Sequence, residues 1–65
     1  MTSLKQIHES LAHINVLYVE DEIQVNEMTV KFLEKIFSNV DSAVDGQEGL
    51  ELFIKNKYAL VITDL

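Results

Sequence analysis

Two short apolar runs in this chain end abruptly in carboxylates. Val16-Leu17-Tyr18-Val19 leads into Glu20-Asp21-Glu22, and Leu60-Val61-Ile62 leads through Thr63 into Asp64. Runs of this length, rich in β-branched residues, read as strands buried on both faces, as in a parallel sheet covered by helices. If the two strands are parallel neighbours, their carboxyl ends lie together, and that end of an open α/β sheet is where ligands bind. Clustered acidic oxygens suit a hard cation. Mg²⁺ in particular is held by one or two carboxylates while it keeps waters and takes phosphate oxygens. Such a cation shields a carboxylate from an incoming phosphoryl group, and the carboxylate can then attack phosphorus and carry the group as an acyl phosphate. The first turn lacks the glycines of a dinucleotide site and the Gly-Lys-Ser/Thr of a P-loop. The residues alone leave a plainer reading open: the acidic turn caps a helix, and Asp64 is a polar strand end.

Elements that would position these groups follow from periodicity. Leu4, Ile7, Leu11 and Ile14 recur at helical spacing, so residues 1–13 are expected to form a short amphipathic extension, with Ser3 as its cap. His8 and His13 are five apart, off one helical face, and are not a metal pair. A first strand is expected over residues 14–19, with Asp21 capping a helix over residues 23–37. That helix should bury Val25, Met28, Phe32, Leu33 and Ile36. A second strand over residues 40–44 carries Asp41 and Ser42 and suits a sheet edge. Asp45-Gly46-Gln47-Glu48 has the spacing of a capping box, opening a helix whose apolar face is Leu50, Phe53 and Ile54 and which ends at Asn56-Lys57. Gly49 inside that helix costs about 1 kcal/mol relative to alanine, so close approach to the sheet is expected there.

Short connections force crossovers between parallel strands, and right-handed crossovers give strand order 2-1-3, with one helix on each face. The fold class is α/β, a partial doubly wound sheet with a short N-terminal helix. Its third strand would leave a bare edge able to pair with another chain.

At 65 residues the chain makes at most one small domain, which buries only about 60% of its unfolded surface. Eleven acidic against five basic residues give a charge of −6, which argues against direct contact with nucleic acid or anionic membranes. No apolar stretch approaches the roughly 20 residues of a membrane span, and no signal-peptide core is present, so a cytoplasmic location is expected.

Three segments carry a resemblance. Val16-Leu17-Tyr18-Val19-Glu20-Asp21-Glu22, Asp45-Gly46-Gln47-Glu48-Gly49-Leu50 and Tyr58-Ala59-Leu60-Val61-Ile62-Thr63-Asp64-Leu65 resemble, in register, the three leading motifs of bacterial response-regulator receiver domains, the CheY-like superfamily. The resemblance covers residues 14–65, the N-terminal half of such a domain. It implies the flavodoxin-like order, Mg²⁺ coordination by Glu20, Asp21 and Asp64, and Asp64 as the acceptor of phosphate from a histidine kinase. A phosphoacceptor signalling domain is implied, not an enzyme. Gly49 stands where receivers usually carry alanine, and Ala59 where many carry aspartate. The family's hydroxyl residue ending strand four, its lysine ending strand five and the carbonyl ligand at position 66 have no counterpart in these residues. The expectation is therefore a receiver truncated after its third strand, with phosphotransfer impaired. The alternative is a module that is not phosphorylated and self-assembles, as a homo-oligomer or by strand swapping, through the exposed edge of the third strand.

Overall fold

The computed structural model describes Ser3, Gln6, Glu9 and residues 13–63. The apolar run after Ile14 forms strand β1 (Asn15–Val19), followed by helix α1 (Ile23–Leu33), strand β2 (Asn39–Ala43), helix α2 (Gly46–Lys55) and strand β3 (Leu60–Thr63). All three strands are parallel, in the expected order β2-β1-β3. Val16 pairs with Val40 on one side and Leu60 on the other, and Val19 with Ala43 and Thr63, so the carboxyl ends of all three strands are level.

The core lies around β1, whose residues Val16, Leu17, Tyr18 and Val19 are all buried. Alternation along a strand sends Leu17 and Val19 to one face and Val16 and Tyr18 to the other. Leu17 and Val19 form one cluster with Ala43, and Leu52 of α2 and Tyr58 pack against it. α1 packs over β1 and β2, with Leu33 buried beneath it.

Asp45 caps α2 as its spacing predicts, its carboxylate accepting from the Glu48 backbone N–H at 2.7 Å. Gly49 is buried, and a Cβ added there would stand 2.8 Å from Val19 Cγ2. Among the described residues none has positive φ, the glycines included, so Gly49 is required for space and not for backbone freedom. This is the close approach read from the sequence. The α2–β3 connection is tied down at its far end. Tyr58 Oη donates to Asp41 Oδ2 at 2.6 Å, and Asn15 Nδ2 donates to the Lys57 carbonyl at 3.3 Å. Burial, together with the bond to Asp41, raises the Tyr58 hydroxyl above the ordinary tyrosine pKa.

Several expectations need correction. α1 ends at Leu33, and residues 34–36 form a turn closed by Lys35 N–H to the Phe32 carbonyl and Ile36 N–H to the Leu33 carbonyl. Met28 and Phe32 are largely exposed; the inward side of α1 carries Asn26 and Leu33, with Thr29 and Val30 half-buried. On α2, Leu50, Phe53 and Ile54 are exposed, and Gly49 and Leu52 face the sheet. The reason is lateral. Both helices pack on β1 and β2, and neither contacts β3. Gly46, Gly49, Leu50 and Phe53 line a groove of about 360 Å³ whose opposite wall is Val61 and Thr63 of β3, with Leu17 and Val19 among its lining. On α1, Glu27, Val30 and Glu34 overlook Ser42 of β2, which leaves Met28 and Phe32 on the flank away from β2. The apolar flanks of both helices are thus turned to the β3 side, where Leu60 and Val61 are also exposed.

The expected N-terminal helix falls mostly outside the described residues. Within them, Gln6 and Glu9 are helical, and Ser3 and Gln6 form a reciprocal cap: Ser3 N–H donates to Gln6 Oε1 at 2.8 Å and Gln6 N–H to Ser3 Oγ at 3.1 Å. No helix among the described residues is long and apolar enough to cross a membrane.

Candidate functional site

The acidic turn leaves the carboxyl end of the central strand, between its two neighbours. Glu20 is the first residue past β1 and is only 5% exposed. Its backbone N–H donates to the Ala43 carbonyl at 3.0 Å, extending the β1–β2 ladder by one bond. Its side-chain Oε2 accepts from the Glu22 backbone N–H at 3.1 Å. That bond corrects the expected cap. Glu22 occupies the N-cap position of α1 and makes no side-chain cap bond, and Glu20, not Asp21, reaches into the turn. Asp21 is exposed. A carboxylate pair thus stands at the end of β1, one group buried and braced, the other facing solvent.

Asn26, which periodicity alone did not single out, completes this junction. It is 5% exposed, and its Nδ2 donates both to the Glu20 carbonyl at 3.1 Å and to the Ala43 carbonyl at 2.9 Å. Both partners are acceptors, so only the amide nitrogen can stand there. The sequence did hold a signal: Asn26 lies seven residues before Leu33, on the inward face of an amphipathic helix, and a buried amide must find partners.

Asp64 lies outside the described residues. Its neighbour Thr63 pairs with Val19, which directly precedes Glu20. Among the described residues no group of three or more acidic, histidine or cysteine side chains is gathered for a metal. Glu20 and Asp21 remain as a pair of hard oxygen donors, which is as many carboxylates as Mg²⁺ commonly takes. A carboxylate offers about four lone-pair positions, and the Glu22 N–H occupies one of those on Glu20. The donor set therefore fits a hard divalent cation.

The chain is similar to the aerobic respiration control sensor protein ArcB of Escherichia coli K12, with 41% identity over 56 residues, 85% of this chain and 7% of that protein. It is equally similar to the protein of the same name from Shigella flexneri. The transcriptional regulatory protein SrrA of Staphylococcus aureus is 34% identical over 50 residues, 77% of this chain and 21% of that protein. This chain thus spans a small fraction of each relative's length. No family model matches it, and no solved structure matches it. A match over 85% of 65 residues cannot avoid β1, α1, β2 and α2, so the similarity runs through the acidic turn and the Asn26 junction. Likeness to a sensor protein and to a transcriptional regulatory protein, over a parallel β2-β1-β3 sheet whose central strand ends in Glu20-Asp21, makes this chain a receiver-domain-like region of the response-regulator kind that covers part of such a domain.

Proposed function

We propose that this region is a receiver module of two-component signalling, in which Asp64 accepts a phosphoryl group from a histidine kinase. The observation that carries the reading is the pairing of Val19 with Thr63, which brings the strand end before Asp64 beside the strand end before Glu20. The relatives' names, a sensor protein and a transcriptional regulatory protein, support the signalling context. Glu20 and Asp21 would hold Mg²⁺, which when bound offsets negative charge between a carboxylate and a phosphoryl group. A carboxylate oxygen of Asp64 attacks phosphorus in line with the phosphohistidine P–N bond. The P–O bond forms as the P–N bond breaks, and the imidazole nitrogen leaves with the electron pair and takes up a proton. The product is an acyl phosphate, and the module is a signalling domain that takes the group without turnover.

The test is intact mass of the gene product that contains this sequence, after incubation with Mg²⁺ and acetyl phosphate. One phosphoryl adduct is expected, labile in acid and base and missing from Asp64→Asn. An adduct that survives in Asp64→Asn, or none on the parent, contradicts the reading.

A second reading, self-assembly without phosphorylation, draws on β3. Among the described residues that strand pairs only with β1, carries no helix on either face and exposes Leu60 and Val61. An unpaired apolar edge is a template for another strand. On that reading the 65-residue chain sediments as a dimer or larger and Val61→Lys returns it to monomer; a parent that stays monomeric at high concentration excludes it.

A further inference from the structure

We propose that Asn26 is the positioning residue of the acidic turn, its single side-chain amide holding the ends of β1 and β2 together and thereby setting how Glu20 and Asp21 face a bound cation. The inference rests on the reading that this turn holds Mg²⁺.

The geometry is a three-way knot. The Ala43 carbonyl accepts from Glu20 N–H at 3.0 Å and from Asn26 Nδ2 at 2.9 Å, which fills both of its lone pairs. The Glu20 carbonyl accepts from the same Asn26 nitrogen at 3.1 Å. Both backbone polar groups of Glu20 are therefore fixed, the N–H by the sheet and the C=O by the helix. The Glu20 carbonyl belongs to the peptide plane that continues into the nitrogen of Asp21, and that plane is rigid. Fixing the oxygen fixes the direction in which Asp21 departs. The buried carboxylate of Glu20 then reaches forward to Glu22 N–H and braces the same turn from the other side. No hydroxyl or aliphatic side chain at position 26 can satisfy both carbonyls, because a hydroxyl brings one hydrogen and an alkyl group none, whereas the amide nitrogen brings two to one point. Groups behind a metal's own ligands commonly change its affinity 10- to 100-fold when removed, because they hold the ligands in place.

The experiment follows backbone amides by NMR in the 65-residue chain, first for hydrogen exchange and then through a Mg²⁺ titration. In Asn26→Ala the Glu20 and Glu22 amides are expected to exchange about tenfold faster. The Asn56 amide, which donates to the Leu52 carbonyl at the far end of α2, should keep its rate. The Mg²⁺ dissociation constant should rise at least about tenfold. Asn26→Ser, with one donor in place of two, is expected to lie between parent and alanine variant, and it carries the test if the alanine variant does not fold. Equal Mg²⁺ affinity in parent and variants overturns the role of Asn26 and leaves the cation reading standing, as does a uniform acceleration of every amide. A parent whose amides ignore Mg²⁺ removes the cation reading and this role with it.

Discussion

Leu17→Ala is expected to remove about 2–3 kcal/mol of folding stability, read as a fall in the urea midpoint followed by circular dichroism. Leu17 is 1% exposed and is the largest fully buried side chain among the described residues, in a cluster with Val19 and Ala43 against which Leu52 and Tyr58 pack. Truncating a buried leucine costs about 2–5 kcal/mol, the spread reflecting how well the surroundings close over the space. Here the groove between α2 and β3 is open to solvent and reaches Leu17 itself, so the vacated volume joins water and does not persist as a void. That places the loss toward the lower end. Even so it is a large share of the total, because domains hold about 0.05–0.15 kcal/mol per residue, or roughly 3–10 kcal/mol for a chain of this length. Ile54→Ala is the control. Ile54 is 75% exposed, and its truncation should shift the midpoint by less than about 0.5 kcal/mol. Equal shifts for the two variants contradict the core described above.

The contrast between Leu17 and Ile54 marks the limit of reading this fold from its sequence. Strand runs, parallel order, the Asp45 cap and the crowding at Gly49 are local or nearly so, and each was legible. Each depends on residues that meet whatever else the chain contains. The burial of Met28, Phe32, Leu50, Phe53 and Ile54 was misjudged for a different reason. Periodicity identifies the apolar arc of a helix, but α1 and α2 both lie over β1 and β2, and only part of each arc meets the sheet. The remainder overlooks β3, and nothing in the spacing of a helix states how far the sheet beneath it is roofed. At the site, Glu20 and Asp21 were legible as an acidic turn after a buried strand. Their division of labour was not. Asp21 has the residue type and position of a cap, yet the buried Glu20 reaches the Glu22 N–H, because its longer side chain can turn forward from the strand end. Asn26 was masked by the apolar residues around it, since a pattern of hydrophobic spacing treats a single inward amide as noise.

Saturating Mg²⁺ is expected to raise the melting temperature of the chain by about 10–20 °C, and Glu20→Gln to abolish most of that rise. Binding to the folded state alone contributes about 2.7 kcal/mol when the ligand is at 100 times its dissociation constant. In a domain of 60–100 residues each kcal/mol moves the midpoint by about 4–8 °C. The sign of the variant's effect without metal separates this account from simple damage. Glu20 is a buried carboxylate that accepts from the Glu22 backbone N–H, and burying a charge without a compensating cation is costly. Glutamine keeps the shape and can still accept from Glu22 N–H through its side-chain carbonyl, but it carries no charge to desolvate. In chelator the variant should therefore melt at or above the parent, and in Mg²⁺ below it. Two melting curves that cross in this way follow only if the same carboxylate that destabilises the empty turn binds the cation. Asp45→Asn, at an exposed cap on the other helix, should lower both of its own curves slightly and leave the Mg²⁺ response intact. If Glu20→Gln responds to Mg²⁺ as fully as the parent does, the buried carboxylate is a brace for the turn and the cation is held elsewhere.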